Sequence, residues 1–191
     1  MEHISKTLKQ SSSPTNTPDL KLFEEQEKTV AEKRERLRIF LNLTSWENTF
    51  ANFRPLKGTL EALKAFKSLA EGNTEWHMLL VFGSTGCGKT HLCEALAIEL
   101  LKRDIFTRVN EWPTVIRSWK QAMHSELIGD YDIRFKNYCE ARWIILDDVG
   151  MGGIGSAWEW GEFDELINYR FRNNLPTVVT TNLDITKLPD R

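Results

Sequence analysis

The sequence predicts a three-layer α/β domain, a central parallel sheet with helices on both faces, and three observations predict it. Short stretches rich in apolar and β-branched residues at 78–82, 105–109, 143–146 and 177–180 have the length and composition of strands. Longer stretches with apolar residues three and four apart lie between them, as helices require. A glycine-rich turn separates the first run from the helix after it. Parallel neighbours need long crossovers where antiparallel ones need only a hairpin, so this alternation implies a parallel sheet.

Composition narrows the function classes. The 191 residues carry 25 Lys and Arg against 27 Asp and Glu, a net charge of -2. A generally basic nucleic-acid coat is excluded, while a local basic face remains open. Cys87, Cys93 and Cys139 are too few and scattered for a disulfide framework, and no CxxC pair suggests zinc. The first residues, MEHISKTLKQ, hold no apolar core of a signal peptide, and the longest apolar run is a quarter of the roughly 20 residues a membrane span needs. A soluble, cytoplasmic protein with reduced thiols and no membrane partner is expected.

Residues 1–44 read as a polar linker plus a charged helix. SSSPTNTP at 11–18 has linker composition, and Thr17-Pro18 offers a hydroxyl cap followed by proline at the first helical position. The helix then runs to about residue 42, with Glu24 and Lys28, and Glu32 and Arg36, four apart in the favourable order. It serves either as a solvated lead-in or as a partner-binding handle through Leu20, Phe23, Leu37, Phe40 and Leu41. The core domain, 45–191, opens with Trp46, Phe50 and Phe53. Thr59 caps a helix whose Leu60, Leu63, Phe66 and Leu69 share one face and whose end suits Gly72. The continuous run 78–82 predicts a strand buried on both faces. A helix of about 15 residues follows Gly88. After the second strand comes a helix over 113–123 with Val115, Ile116, Trp119 and Met123 inward. Another spans 163–171, between the last two strands.

Residues 83–90, GSTGCGKT, match GxxxxGK[ST] in full. Average residue usage gives such a string by chance in roughly one chain of this length per hundred. Its position between a strand and a helix lowers that further, because the chemistry needs it there. Gly83, Gly86 and Gly88 permit a backbone that turns successive N–H groups of Ser84, Thr85, Cys87 and their neighbours onto a phosphate. The helix that begins with Lys89, Thr90 and His91 adds its positive end. Lys89 reaches the β- and γ-phosphates, and the Thr90 hydroxyl suits Mg²⁺. Cys87 reads as a small filler, since bound phosphate would repel a thiolate. The segment implies a bound nucleoside triphosphate.

Residues 143–148, WIILDD, form an apolar strand ending in two acids. A carboxylate at a strand tip beside the phosphate loop is where Mg²⁺ coordination is required, which assigns Asp147 to Mg²⁺. Asp148 is then placed to orient and deprotonate an attacking water. The fourth strand ends in Thr180-Thr181-Asn182, where a polar side chain either contacts the γ-phosphate and the water or opens a turn.

Taken together, GSTGCGKTHL (83–92), WIILDDVG (143–150) and INYRFRNNLPTVVTTNLD (167–184) resemble the bacterial DnaC/DnaI helicase loaders and IstB-like ATPases of the AAA+ class. WENTFANF (46–53) resembles the opening of their core, so the likeness covers about three quarters of the chain. The resemblance implies a P-loop NTPase sheet of order 5-1-4-3-2 with ATP at its carboxyl end. It implies phosphate contacts from Gly86 through Lys89, Mg²⁺ on Thr90 and Asp147, and the water-activating acid at Asp148. Asn182, with Thr181, falls on the sensor-1 position, and Asn110 on that of a side chain restraining the acid. Asp148 stands where many relatives carry Glu, which implies slow turnover. Such proteins continue to an arginine finger and a helical lid, so a chain cut before both is expected, with Arg191 aligned to the first arginine of that tract.

The leading expectation is an ATP-dependent switch and weak ATPase that binds single-stranded DNA and a replicative helicase as an ATP-dependent homo-oligomer. Arg117, Lys120, Arg134 and Lys136, with Trp158 and Trp160, are its candidate DNA contacts. A transposition helper acting with a transposase on duplex DNA shares every motif. A small-molecule kinase on the same loop is the alternative from another class, and Asp148 and the Thr-Thr-Asn tip speak against it.

Overall fold

A computed structural model describes residues 18–150 and 156–183 and divides the chain into two units, 1–37 and 38–191. The first unit consists, among its described residues, of most of helix α1 (Pro18–Leu41), which begins at the proline as its φ restriction favours. Thr17, the expected cap, lies outside the described residues, as do the side chains of Leu20 and Phe23.

The second unit begins in the last turn of α1 and continues α2 (Leu60–Glu71), β1 (Met78–Phe82), α3 (Lys89–Leu101), β2 (Val109–Glu111), α4 (Trp112–Met123), α5 (Asp130–Glu140), β3 (Ile144–Val149), α6 (Ala157–Arg172) and β4 (Thr177–Thr181). The described sheet is parallel throughout, in the order β1-β4-β3-β2. The two central strands alternate between two cores, as a period of two dictates. Ile145 and Val178 face α2, α3 and the lead-in aromatics Phe50 and Phe53. Ile144, Leu146 and Val179 face α4, α5 and α6, around Trp112, Trp119 and Leu166. These are the three layers expected.

Four helix ends share one device. Asn42, Gly72, Asp104 and Asn174 have φ of 56°, 73°, 57° and 53°. Around each, two N–H groups return to the carbonyls of the last turn, for example Asp104 to Leu101 and Ile105 to Leu100, both at 3.0 Å. This explains one difference from expectation. The apolar residues at 105–106 are not strand, since Ile105 is the hydrophobic residue that follows a left-handed cap, and ladder pairing begins only at Val109 opposite Ile145.

Other expectations need correction. β1 is an edge strand among those described, with Leu80 and Phe82 44% and 54% exposed, so its apolar run is not buried on both faces. Met123 is exposed, and Trp112 and Ala122 take the inward places on α4. α6 starts at Ala157, not 163, because Ser156 and Glu159 form a reciprocal capping box. Thr59 makes no cap bond; its hydroxyl bonds back to Leu56, and Leu60 is exposed. α5 was not anticipated, although Tyr131, Phe135, Tyr138 and Cys139 mark its inner face. Trp158 and Trp160 pack against the second core instead of standing free.

Arg170 of α6 ties this layer together. It is fully buried, and its guanidinium donates to the carbonyls of Tyr138 (2.9 Å), Cys139 (3.1 Å), Ala141 (2.7 Å) and Pro176 (2.8 Å) and to the Thr177 hydroxyl (2.8 Å). Burial pulls its pKa down to about 10. The end of α5 and the start of β4 are thus held by one fork of five donors, a geometry that lysine lacks. Arg170→Met, which matches length but strands several buried carbonyls, is expected to cost about 3 kcal/mol, and Arg170→Lys to recover little of it. Urea unfolding midpoints of the two variants check this.

Candidate active site

The phosphate loop leaves β1 at Gly83 and enters α3 at Lys89. Gly86 and Gly88 have φ of 81° and 92°, closed to most side chains. A Cβ on Gly88 would also stand 2.6 Å from the Phe53 ring, so glycine is demanded there twice. Ser84, Thr85 and Gly86 are exposed at the loop tip, and Cys87 is half-buried with its sulfur 3.8 Å from Lys89 Nζ. Lys89 is itself buried, its ammonium donating to the carbonyls of Gly83 (2.9 Å) and Ser84 (3.0 Å) and to Asn182 Oδ1 (2.5 Å).

Both acids meet this loop. Thr90 Oγ1 donates to Asp147 Oδ2 at 2.7 Å, and the other oxygen of Asp147 accepts from Thr180, with the Cys93 thiol 3.8 Å away. Asp147 is only 2% exposed. Asp148 has φ 58°, a left-handed backbone that costs about 1 kcal/mol, and its Oδ1 accepts from Asn182 Nδ2 at 3.0 Å. Burial, and then the charge of Asp147, push the Asp148 carboxyl above its ordinary range, against the pull of Lys89 and the Asn182 bond. Asn182 thus bridges the loop lysine and the second acid, offering oxygen to the cation and N–H to the carboxylate.

Three expected residues are placed elsewhere. His91 faces the lead-in segment, with Nε2 2.9 Å from the Thr49 carbonyl and its ring edge-on to Phe53. Thr181 donates to the Val149 carbonyl and accepts from Leu183 N–H, which makes it a backbone brace. Asn110 donates to the Arg108 and Ile145 carbonyls and accepts from Tyr138, so its bonds do not restrain Asp148. Of the candidate DNA contacts, Lys120 pairs with Glu159, Arg134 with Asp130 and Lys136 with Glu140. Arg117 is exposed along a groove of about 430 Å³ that Trp112 and Trp160 also line. Arg191 lies outside the described residues.

Sequence reasoning missed two members of the neighbourhood. Thr180 stands in the Thr-Thr-Asn tip, but nothing in the sequence marks its bonds to both acids, since threonine is an ordinary strand residue. Glu94 did give a signal, an acid inside the otherwise apolar stretch 92–98. It is fully buried and accepts from Thr44 N–H (2.9 Å) and hydroxyl (2.7 Å), Ser45 N–H (3.3 Å) and Asn48 Nδ2 (2.9 Å).

The residues present fit a triphosphate and its metal. The glycine turn and the first N–H groups of α3 form an anion cradle. A hydroxyl and a carboxylate 2.7 Å apart are the hard oxygen donors that Mg²⁺ prefers. Gathered at the carboxyl end of a 1-4-3-2 parallel sheet, these groups make the chain a P-loop ATP-binding domain of AAA+ architecture.

Comparison with known proteins makes the class particular. The family described as IstB-like ATP binding protein matches residues 5–189, and the chain belongs to it. The chromosomal replication initiator DnaA of Neisseria meningitidis serogroup C is 26% identical over 152 residues, 78% of this chain and 29% of that protein. The chain therefore spans less than a third of the length of that relative. Among solved structures, DnaI has a TM-score of 0.62 at 25% identity, covering 73% of this chain and 74% of its own. The DnaC helicase loader has a TM-score of 0.62 at 23% identity, covering 74% and 80%. A DnaA bound to AMPPCP and single-stranded DNA has a TM-score of 0.66 at 21% identity, covering 75% and 44%. At their identities, DnaC and this DnaA share the fold.

The three thiols test the loop's geometry. Cys93 and Cys139 are buried, and burial pushes both thiols up, that of Cys139 to about 11. Alkylation of the native chain is expected to modify Cys87 alone, and ATP with Mg²⁺ to slow that reaction. Urea exposes all three, and peptide mass mapping distinguishes them.

Proposed function

We propose that this chain is an ATP-hydrolysing AAA+ switch acting in cytoplasmic DNA replication, a loader that binds single-stranded DNA and positions a replicative helicase. The observation that carries the switch is the Lys89–Asn182–Asp148 bridge, at 2.5 and 3.0 Å. It links the cation that meets the γ-phosphate to the acid that faces the attacking water, so one amide responds to which nucleotide is bound. The likeness to DnaI and to the DnaC helicase loader supports the loader assignment.

In this reading Lys89 leaves the Gly83 and Ser84 carbonyls for the β- and γ-phosphates, and the N–H groups of residues 86–90 hold the phosphate oxygens. The Thr90 hydroxyl and the Asp147 carboxylate hold Mg²⁺, which offsets phosphate charge when bound. Asp148 accepts the proton of the attacking water, and Asn182 orients that water and reads the γ-phosphate. An acid and an amide at this point suit water as the nucleophile better than the hydroxyl of a kinase substrate. The shorter aspartate, in place of glutamate, holds turnover low, and ATP orders a homo-oligomer that hydrolysis releases.

The family match through residues 5–189 favours a second reading, a transposition helper that acts with a transposase on duplex DNA. Lys89→Ala is expected to abolish ATP binding. Asp148→Asn should retain it and lower turnover by about 100-fold or more. Nucleotide binding by calorimetry and phosphate release check both. Fluorescence anisotropy of labelled DNA with ATP–Mg²⁺, with ADP and without nucleotide then separates the readings. ATP-dependent preference for single strands supports the loader, and preference for duplex supports the helper. Absence of DNA binding, both here and in a chain extended past Arg191, removes both.

A further inference from the structure

The register of β3 and β4 sets both acids against one residue. Leu146 pairs with Val179 and Val149 with Thr181, so Asp147 and Asp148 together span the step that Thr180 alone occupies on β4. In an unbroken strand, neighbouring side chains leave on opposite faces. A bulge re-aims one of them, and Asp148, with φ 58°, is where the backbone turns. Thr180 is fully buried and meets both acids through one hydroxyl. It accepts from the Asp148 N–H at 3.1 Å and donates its proton to Asp147 Oδ1. With Oδ1 so engaged, Oδ2 is the oxygen left beside Thr90, at 2.7 Å.

We propose that Thr180 is a positioning residue of the ATP–Mg²⁺ site, fixing which oxygen Asp147 offers to the metal and locking the bulge that presents Asp148 to Asn182. The proposal rests on the ATPase reading above and adds a residue to it. A hydroxyl has a single proton and two lone pairs, so it can donate to one acid and accept from the backbone of the other at once. Valine has the same shape and can do neither. Outer partners that orient a ligating carboxylate typically matter 10–100-fold, roughly, in metal affinity or activity.

The test is Mn²⁺ binding in the presence of ATP, followed by electron paramagnetic resonance, on the full chain and on Thr180→Val, Thr180→Ala and Thr180→Ser. Both variants without the hydroxyl are expected to bind Mn²⁺ about tenfold or more weakly while keeping metal-free ATP affinity. Their kcat should fall, and excess Mg²⁺ should recover part of it. Thr180→Ser should track the parent. Thr180→Ala covers the case in which the extra methyl of valine disturbs folding. If the hydroxyl-free variants melt at lower temperature yet bind Mn²⁺ as the parent does, Thr180 is only structural and the proposal is wrong. A serine variant as weak as valine also overturns it. If the parent itself takes up no Mn²⁺ with ATP, the ATPase reading fails first and the proposal falls with it.

Discussion

The carboxyl end of the sheet is organised around the need to keep the Asp147 carboxylate out of bulk water without leaving it unsatisfied. A buried carboxylate costs many kcal/mol if nothing replaces its hydration. Here the replacement comes from two hydroxyls on different elements, Thr90 at the start of α3 and Thr180 in β4. Each bond fixes an element to the centre of the sheet. The phosphate loop ends where Thr90 must reach Asp147, and β4 holds its register where Thr180 must reach it. The same condition explains the bulge: with Thr180 committed to Asp147, the next residue of β3 cannot continue the regular pleat and still share that hydroxyl.

Two further buried charges extend the pattern away from the nucleotide site. Glu94 and Arg170 are both fully buried, and the hydrogen bonds that hold them come from neutral groups. Each does what an apolar side chain could not, gathering irregular backbone. Glu94 collects the N–H groups and polar side chains of residues 44–48, and Arg170 collects the carbonyls of the α5–β3 turn and of the β4 start. Charge-assisted bonds are stronger than neutral ones, which suits segments that have no sheet or helix ladder of their own.

Legibility in the sequence followed how many residue types each feature tolerates. The phosphate loop was readable in full because its motif is spelled by residue types few others can replace: Gly86 and Gly88 adopt φ closed to most side chains, and Gly88 is excluded from change by the Phe53 ring as well. Gly72 was readable as a helix end, but Asn42, Asp104 and Asn174 adopt the same left-handed turn with residues that also serve many other turns. The misplaced second strand followed directly, since Ile105 looks like a strand residue until the cap at Asp104 is known. The run 78–82 reported that apolar surface is present but not which neighbour covers it, and so overstated the burial of β1. Asp147 and Asp148 were legible as acids at a strand tip. Their orientation was not, because it depends on a bulge and on a threonine whose presence in a strand is unremarkable.

The first two turns of α3 join the nucleotide site to the start of the domain. Lys89 and Thr90 face the loop and Asp147, while His91 and Glu94, on the other side of the same turns, hold Thr49 and residues 44–48. Phe53 closes the gap by packing on Gly88, in the loop itself. A helix transmits displacement along its length with little deformation, since its hydrogen bonds and close-packed contacts resist bending. The start of α3, which carries Lys89, grips the lead-in segment at three places. That segment follows directly on the last turn of α1, where Asn42 and Leu43 complete the helix cap. The phosphate loop and the lead-in segment are thus both anchored to the same two turns of α3.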